Sequence, residues 1–228
     1  MVYVWFIDTN VLASWIIVES GLLKKLSEHY NYPFQYQELY SEKYRGEVAF
    51  INAVLNANPE RFQKEHEMLV SFLATNELFS AIRDEVISLK LFHKGIPVSR
   101  WPGAKNRETL SEEESKLVYE TTLAVWDKLF GGNVIVTNDD PFEGEAADTT
   151  NYWDIYAPIL FKIKNTKTQD TMLLTTAIIN DADYFVTRDD HLKRDAGDIL
   201  YKQYGLHIIS PDTALLYIQR YLKTSCVN

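Results

Sequence analysis

Six consecutive apolar residues, Val2–Ile7 (V-Y-V-W-F-I), stop on a carboxylate, Asp8. A run this short, rich in β-branched and aromatic side chains and without polar alternation, has the pattern of a strand buried on both faces. Such strands belong to parallel sheets covered by helices on both sides. Asp8-Thr9-Asn10 then supplies helix-start chemistry ahead of Val11, Leu12, Ile16 and Ile17. Asp8 is thus expected where a strand ends and a helix begins.

The rest of the chain repeats the alternation. Apolar residues at helical spacing predict a helix over about 41–58, stopped by Asn58-Pro59, and Met68–Leu73 reads as a strand. Thr75-Asn76 is expected to cap a helix with the apolar face Leu78, Phe79, Ile82, Val86 and Leu89, which puts Glu77 in its first turn and ends by Gly95-Ile96-Pro97. Ser111 with Glu114 forms a capping-box pattern for a helix running to Gly131-Gly132. Asn133–Thr137 reads as a strand, 138–150 as an acidic loop, and a helix is expected within 152–164. A helix over 170–180 leads to the strand Tyr184–Thr187, and Leu206–Ile209 and an amphipathic segment 213–222 close the series. Strands separated by helices call for an α/β fold with a mostly parallel sheet. Without repeats or a linker, residues 1–228 read as one domain.

Composition narrows the class. No stretch approaches eighteen unbroken apolar residues, so no membrane span is expected, and Met1–Ile7 lacks a basic n-region or a small-residue cleavage site. The reading is a cytoplasmic protein. The single cysteine, Cys226, excludes an intrachain disulfide and a cysteine-based zinc site. The formal charge of −9 argues against unspecific adhesion to nucleic acid, yet the whole deficit lies between Glu112 and Asp154. Just before it, Arg83, Lys90, Lys94, Arg100, Lys105 and Arg107 surround Trp101 and oppose only Asp84 and Glu85. That stretch could meet phosphates and stack a base, or be a solvated helix face whose charges balance locally.

Ligands of open parallel sheets bind beyond the carboxyl ends of the strands. Asp8, Glu77, Asp170 and Asp189 are all expected there. First-turn acids also serve merely to complement helix dipoles, but Asp8 directly after an apolar run is costly to bury without a cation or donor. Together, mutually repelling carboxylates have the chemistry of a divalent cation site, and an oxygen-only set favours Mg²⁺ or Mn²⁺ over zinc. Such an ion activates water for phosphodiester hydrolysis without a side-chain nucleophile. The five histidines show no ligand spacing, and no glycine-rich phosphate loop or Gly-x-Ser-x-Gly motif occurs.

The strand–Asp8-Thr9-Asn10-Val11-Leu12 opening, Thr75-Asn76-Glu77-Leu78, Asp170 near a helix start, and Asn180-Asp181-Ala182-Asp183-Tyr184-Phe185-Val186-Thr187-Arg188-Asp189 with His191-Leu192 resemble the PIN-domain nucleases over most of the chain. The resemblance implies a three-layer α/β/α sandwich, a Mg²⁺ or Mn²⁺ site and endonucleolytic cleavage of single-stranded RNA, leaving 5′-phosphate and 3′-hydroxyl ends. It implies Asp8 and Asp170 as the most direct metal ligands, Glu77 as a ligand or water-orienting group, and Asp189 as holder of a second ion or bridging water. Asn10 and Thr187 match its supporting polar positions. Asp190 could replace Asp189, Asp84 or Glu85 could compete with Glu77, and Asp181 and Asp183 read as turn and solvent residues. Arg188 and Lys193-Arg194 join the Arg83–Arg107 stretch as candidate phosphate contacts. The family's habit of dimerising implies a homo-oligomer. Enlarged regions at about 31–61 and 95–166 depart from the compact toxin-type members and weaken an antitoxin as partner. The rival readings are a catalytically inactive PIN-like module binding RNA or protein, and a nucleotide-binding Rossmann-like protein. The second is poor, because 8–13 contains no glycine to admit a pyrophosphate.

Overall fold

A computed structural model describes residues 2–31, 36–137, 149–164 and 166–224. The acidic stretch 138–150 and Cys226 therefore lie almost wholly outside the described residues. Strand β1 (Tyr3–Ile7) is followed by α1 (Thr9–Glu19), α2 (Leu22–His29), α3 (Tyr36–Lys43), α4 (Arg45–Leu55) and the short α5 (Pro59–Phe62). Strand β2 (His66–Ser71) leads into the long α6 (Phe72–His93), then a 3-10 turn (Val98–Arg100), α7 (Trp101–Lys105) and α8 (Glu112–Phe130). Beyond β3 (Val134–Thr137) come α9 (Thr149–Lys162), α10 (Thr168–Ile179), β4 (Tyr184–Val186), α11 (Asp190–Tyr204), β5 (His207–Ile209) and α12 (Pro211–Thr224).

All five strands pair in parallel in the order β3-β2-β1-β4-β5, flanked by helices, which is the expected three-layer α/β/α sandwich. The apolar run explains the central place of β1: Trp5, Phe6 and Ile7 are fully buried among Val11, Leu12, Trp15, Ile16, Phe50, Val70, Leu78, Leu174 and Phe185. Register aligns Ile7 with Val186, so β1 and β4 end together. The chain adds β2 and β3 on one side of β1 and then returns to its other side for β4. The β1/β4 seam is therefore the point where the winding reverses and a crevice opens.

Several boundaries differ from expectation. Ser71, the last residue of β2, already caps α6: its Oγ accepts a bond from the Ala74 amide at 2.9 Å. Thr75-Asn76 is thus internal, Thr75 donating back to the Phe72 carbonyl, and Glu77 sits in the second turn. The helix expected over 41–58 is broken at Tyr44, whose backbone leaves the helical region (φ −113°, ψ 24°). Helices α2, α5, α7 and α11 and most of α3 escaped the periodicity. Helix α2 is only eight residues long, and α11 buries only Leu192, Ala196 and Leu200 on an otherwise polar sequence. The capping box at Ser111/Glu114 forms as expected, with both reciprocal bonds present. Among the described residues no helix is long and apolar enough to cross a membrane.

Candidate metal centre

Asp8 stands at the seam as the residue between β1 and α1, with its amide bonded to the Val186 carbonyl at 3.0 Å. It occupies the N-cap position of α1 but makes no side-chain cap bond, so helix capping does not account for the carboxylate. Its Oδ2 accepts instead from the Thr187 hydroxyl at 2.6 Å and the Asn10 side-chain amide at 2.6 Å. Both donors converge on Oδ2, and Oδ1 receives neither. Burial, with the nearby Asp170 charge adding to it, pushes the Asp8 carboxyl up to about 6, while the Thr187 hydroxyl and the backbone amides of Asn10 and Thr9 oppose the shift.

Thr187 directly follows β4 and is itself polarised. Its oxygen accepts the Asp189 amide at 3.0 Å and the Asn10 amide at 3.3 Å, which leaves its one proton for Asp8. The Asn10 carbonyl oxygen accepts the Arg188 amide at 3.3 Å, and that contact fixes which way the Asn10 side chain faces. Asn10 and Thr187 thus both donate to the Asp8 carboxylate, and Thr187 meets Asp189 only through its backbone amide.

Glu77 reaches the same centre from α6. Its Oε2 accepts from the Thr9 hydroxyl at 3.3 Å, and its Oε1 is buried with no hydrogen-bond partner. Burial holds the Glu77 carboxyl above the usual glutamate range, and the Asp170 charge adds to that, with the Thr9 hydroxyl opposing. Asp170, in the first turn of α10, accepts the Lys167 amide on Oδ2 at 3.2 Å and presses electrostatically on both Asp8 and Glu77. Asp8, Glu77 and Asp170 are thus brought together from three distant segments, and among the described residues no lysine or arginine pairs with any of them.

Asp189 has a different post. Its Oδ1 accepts the His191 and Leu192 amides at 2.8 and 3.1 Å and caps α11, and its amide touches the cluster through Thr187. Asp190 is exposed and lines a separate polar cavity of about 330 Å³ with Glu47, Arg188 and Asp212; it does not replace Asp189. Asp84 pairs with Arg83 and Glu85 with Lys43 and Tyr40, so neither competes with Glu77. Asp181 is an exposed turn residue (φ 53°), as expected. Asp183 is more than a solvent residue, because it accepts the Val4 amide at 2.9 Å.

The basic stretch largely folds onto its own acids. Lys90 bridges Glu108 and Glu114, and Lys94 meets Glu108. Lys105 lies over the Trp101 ring, whose N–H donates to the Ile96 carbonyl. Arg100 and Arg107 line a cavity of about 610 Å³ with Leu91, Ile96, Pro97 and Ala104. Arg188, expected to meet phosphate, is an exposed residue with partners within the chain: its Nε is 2.6 Å from Glu47 Oε1, one terminal nitrogen donates to Ser14 Oγ at 3.0 Å, and the guanidinium lies 4.4 Å from the centre of the Tyr44 ring. Arg194 pairs with Asp195 and also meets His191. Glu47 was not legible in sequence: it sits in an apolar helical pattern far along the chain from its partner.

The residues at the seam fit a hard divalent cation. The donors are all oxygen, their charges repel, and Glu77 Oε1 is a buried acceptor without a donor. Among the described residues no three acids, histidines or cysteines already close into a cage, so an ion would have to draw these side chains in.

No protein-family model matches the chain, and no solved structure matches it. The chain is similar to a protein of Archaeoglobus fulgidus described as "Uncharacterized protein", 32% identical over 116 residues that span 49% of this chain and 87% of the relative. The chain belongs to one family with that archaeal protein.

Proposed function

We propose that the chain is a divalent-metal-dependent endoribonuclease of the PIN type, acting in the cytoplasm and hydrolysing phosphodiester bonds of RNA. The observation that carries this reading is the convergence of Asp8, Glu77 and Asp170 at the winding reversal of a parallel sheet, with their charges unmatched by any lysine or arginine among the described residues. Asp8 through Oδ1, Glu77 through Oε1 and Asp170 would hold Mg²⁺ or Mn²⁺. When bound, such an ion lowers the pKa of water and neutralises charge on a phosphodiester.

The chain's own residues do the remaining work. Asn10 and Thr187 fix the Asp8 carboxylate by saturating Oδ2, so Oδ1 is presented in one orientation. The Asp189 amide orders the Thr187 hydroxyl. Asp189 belongs to this supporting set, its carboxylate anchoring the helix that follows. Arg100 and Arg107 are the basic residues of the Arg83–Arg107 stretch best placed to meet an RNA backbone, since Arg83, Lys90 and Lys94 have acidic partners.

The test is incubation of single-stranded RNA with the protein and Mn²⁺ or Mg²⁺, alongside EDTA and Asp8→Asn controls. Metal-dependent cleavage lost in both controls is expected. RNA binding that persists in both, without cleavage by the wild type, makes the chain a non-catalytic binding module and ends the nuclease reading.

A further inference from the structure

Beside the carboxylates lies a cation that does not join them. Arg188 directly follows Thr187, whose hydroxyl is 2.6 Å from Asp8. An arginine there is the natural counter-ion for a buried, uncompensated aspartate, since the attraction between opposite charges grows as solvent is removed. Yet its guanidinium is turned the other way, onto Glu47 at 2.6 Å, Ser14 at 3.0 Å and the Tyr44 ring at 4.4 Å. Glu47 projects from α4 and is itself 7% exposed, so its charge is tolerable only with a partner.

We propose that Glu47 is a positioning residue that sequesters the Arg188 guanidinium, and so keeps the Asp8 carboxylate open to a divalent cation. This rests on the nuclease reading of the seam. The clamp has two grips. Through the guanidinium it holds the side chain away from Asp8. Through the Arg188 backbone it presents the N–H that bonds Asn10 Oδ1, while Ser14, which accepts from Arg188, donates to the main-chain carbonyl of Asn10 at 2.7 Å. The alternative acids for a released Arg188, Asp190 and Asp212, line the neighbouring cavity but are exposed, and solvent screens their pull. Buried Asp8 is the stronger attractor.

A plain structural tether and a sequestering partner predict different patterns. If the Glu47–Arg188 pair only fastens α4, removing either half or both weakens the site alike. If Glu47 holds a competitor away, only the variant that leaves the arginine in place is harmed. The experiment titrates Mn²⁺ into the full chain, following the electron paramagnetic resonance signal of unbound Mn²⁺, for wild type, Glu47→Ala, Arg188→Met and the double variant, each first checked for a cooperative melt.

The expected result is at least tenfold weaker Mn²⁺ binding for Glu47→Ala, with Arg188→Met and the double variant within about threefold of wild type. In RNA cleavage at saturating Mn²⁺, Glu47→Ala is expected to recover much of its kcat, because excess ion displaces the arginine. Equal weakening in all three variants, or unchanged binding in Glu47→Ala, overturns the proposal while leaving the nuclease reading intact. If Glu47→Ala does not fold, the double variant and Arg188→Met still decide: weakened binding in either refutes sequestration, and binding within about threefold in both supports it. A wild type that binds no Mn²⁺ overturns the reading beneath it.

Discussion

The charge state of Asp8 makes a quantitative demand on stability. Its carboxyl is raised from an ordinary 3.8 to about 6. A raised acid means that the folded state holds its proton more tightly than the unfolded chain does. The protein is then most stable, as far as this group is concerned, below the unfolded value, and loses stability as pH rises through the folded value. Fully developed, the loss is about 3 kcal/mol, most of it falling between pH 4 and pH 8. Asp8→Asn removes the titration and keeps the shape and an acceptor for Thr187 and Asn10. Urea unfolding of wild type and variant in EDTA, followed by tryptophan fluorescence at pH 4 and pH 8, gives two stability differences. Whatever the substitution costs independently of pH cancels between them. The variant should gain about 2–3 kcal/mol on the wild type from pH 4 to pH 8. Saturating Mn²⁺ at pH 8 should stabilise only the wild type, by about 2.7 kcal/mol at one hundred times its dissociation constant. A difference that stays flat with pH, or that runs the other way, refutes the claim that this carboxylate is held charged at a cost.

Other perturbations probe the same logic elsewhere. Thr187→Val withdraws the hydroxyl that favours the charged form, so the Asp8 carboxyl should titrate higher than about 6, as read from its carboxyl ¹³C shift, and RNA cleavage should fall. Glu114→Ala removes one of the two acids on Lys90 and the acceptor of the Tyr30 hydroxyl bond, in a site where the glutamate side chain is 3% exposed, and should cost about 1–3 kcal/mol in denaturant unfolding. Lys90, the Ser111 amide and Tyr30 hold Glu114 below the usual glutamate range, so its contribution to stability should persist at neutral pH and fade only as pH falls through that lowered value. Gly205→Ala forces a side chain onto a left-handed backbone (φ 77°) at the end of α11 with nothing within 4 Å of the added carbon, so the loss should be purely conformational, about 1–2 kcal/mol by thermal melt.

The sheet was readable because β-branched and aromatic runs of four to six residues, bounded by polar turns, leave few alternatives to buried parallel strands. Asp8 was readable for the same reason, as a charge placed where the run leaves the core. Glu77 was found for a mistaken reason. Thr75-Asn76 looks like a cap, but Ser71 takes that role one turn earlier, and the glutamate still reaches Thr9 because α6 packs along α1. Asp189 shows the opposite limit: a carboxylate after a strand can be a helix cap, and only the His191 and Leu192 amides reveal which. The Glu47–Arg188 pair was invisible, since nothing local in either segment announces a partner so remote in sequence. The same holds for Lys90 and Lys94, whose acids arrive from beyond a turn.

The position of Asp8 has a dynamic corollary. Its amide is hydrogen-bonded to β4 at the end of the central strand, the part of such a sheet that opens last. Deuterium should therefore enter that amide only through whole-molecule unfolding, at the slowest rate in the chain. A site with one ligand fixed there leaves adjustment to an ion to the side chains that α6 and α10 bring.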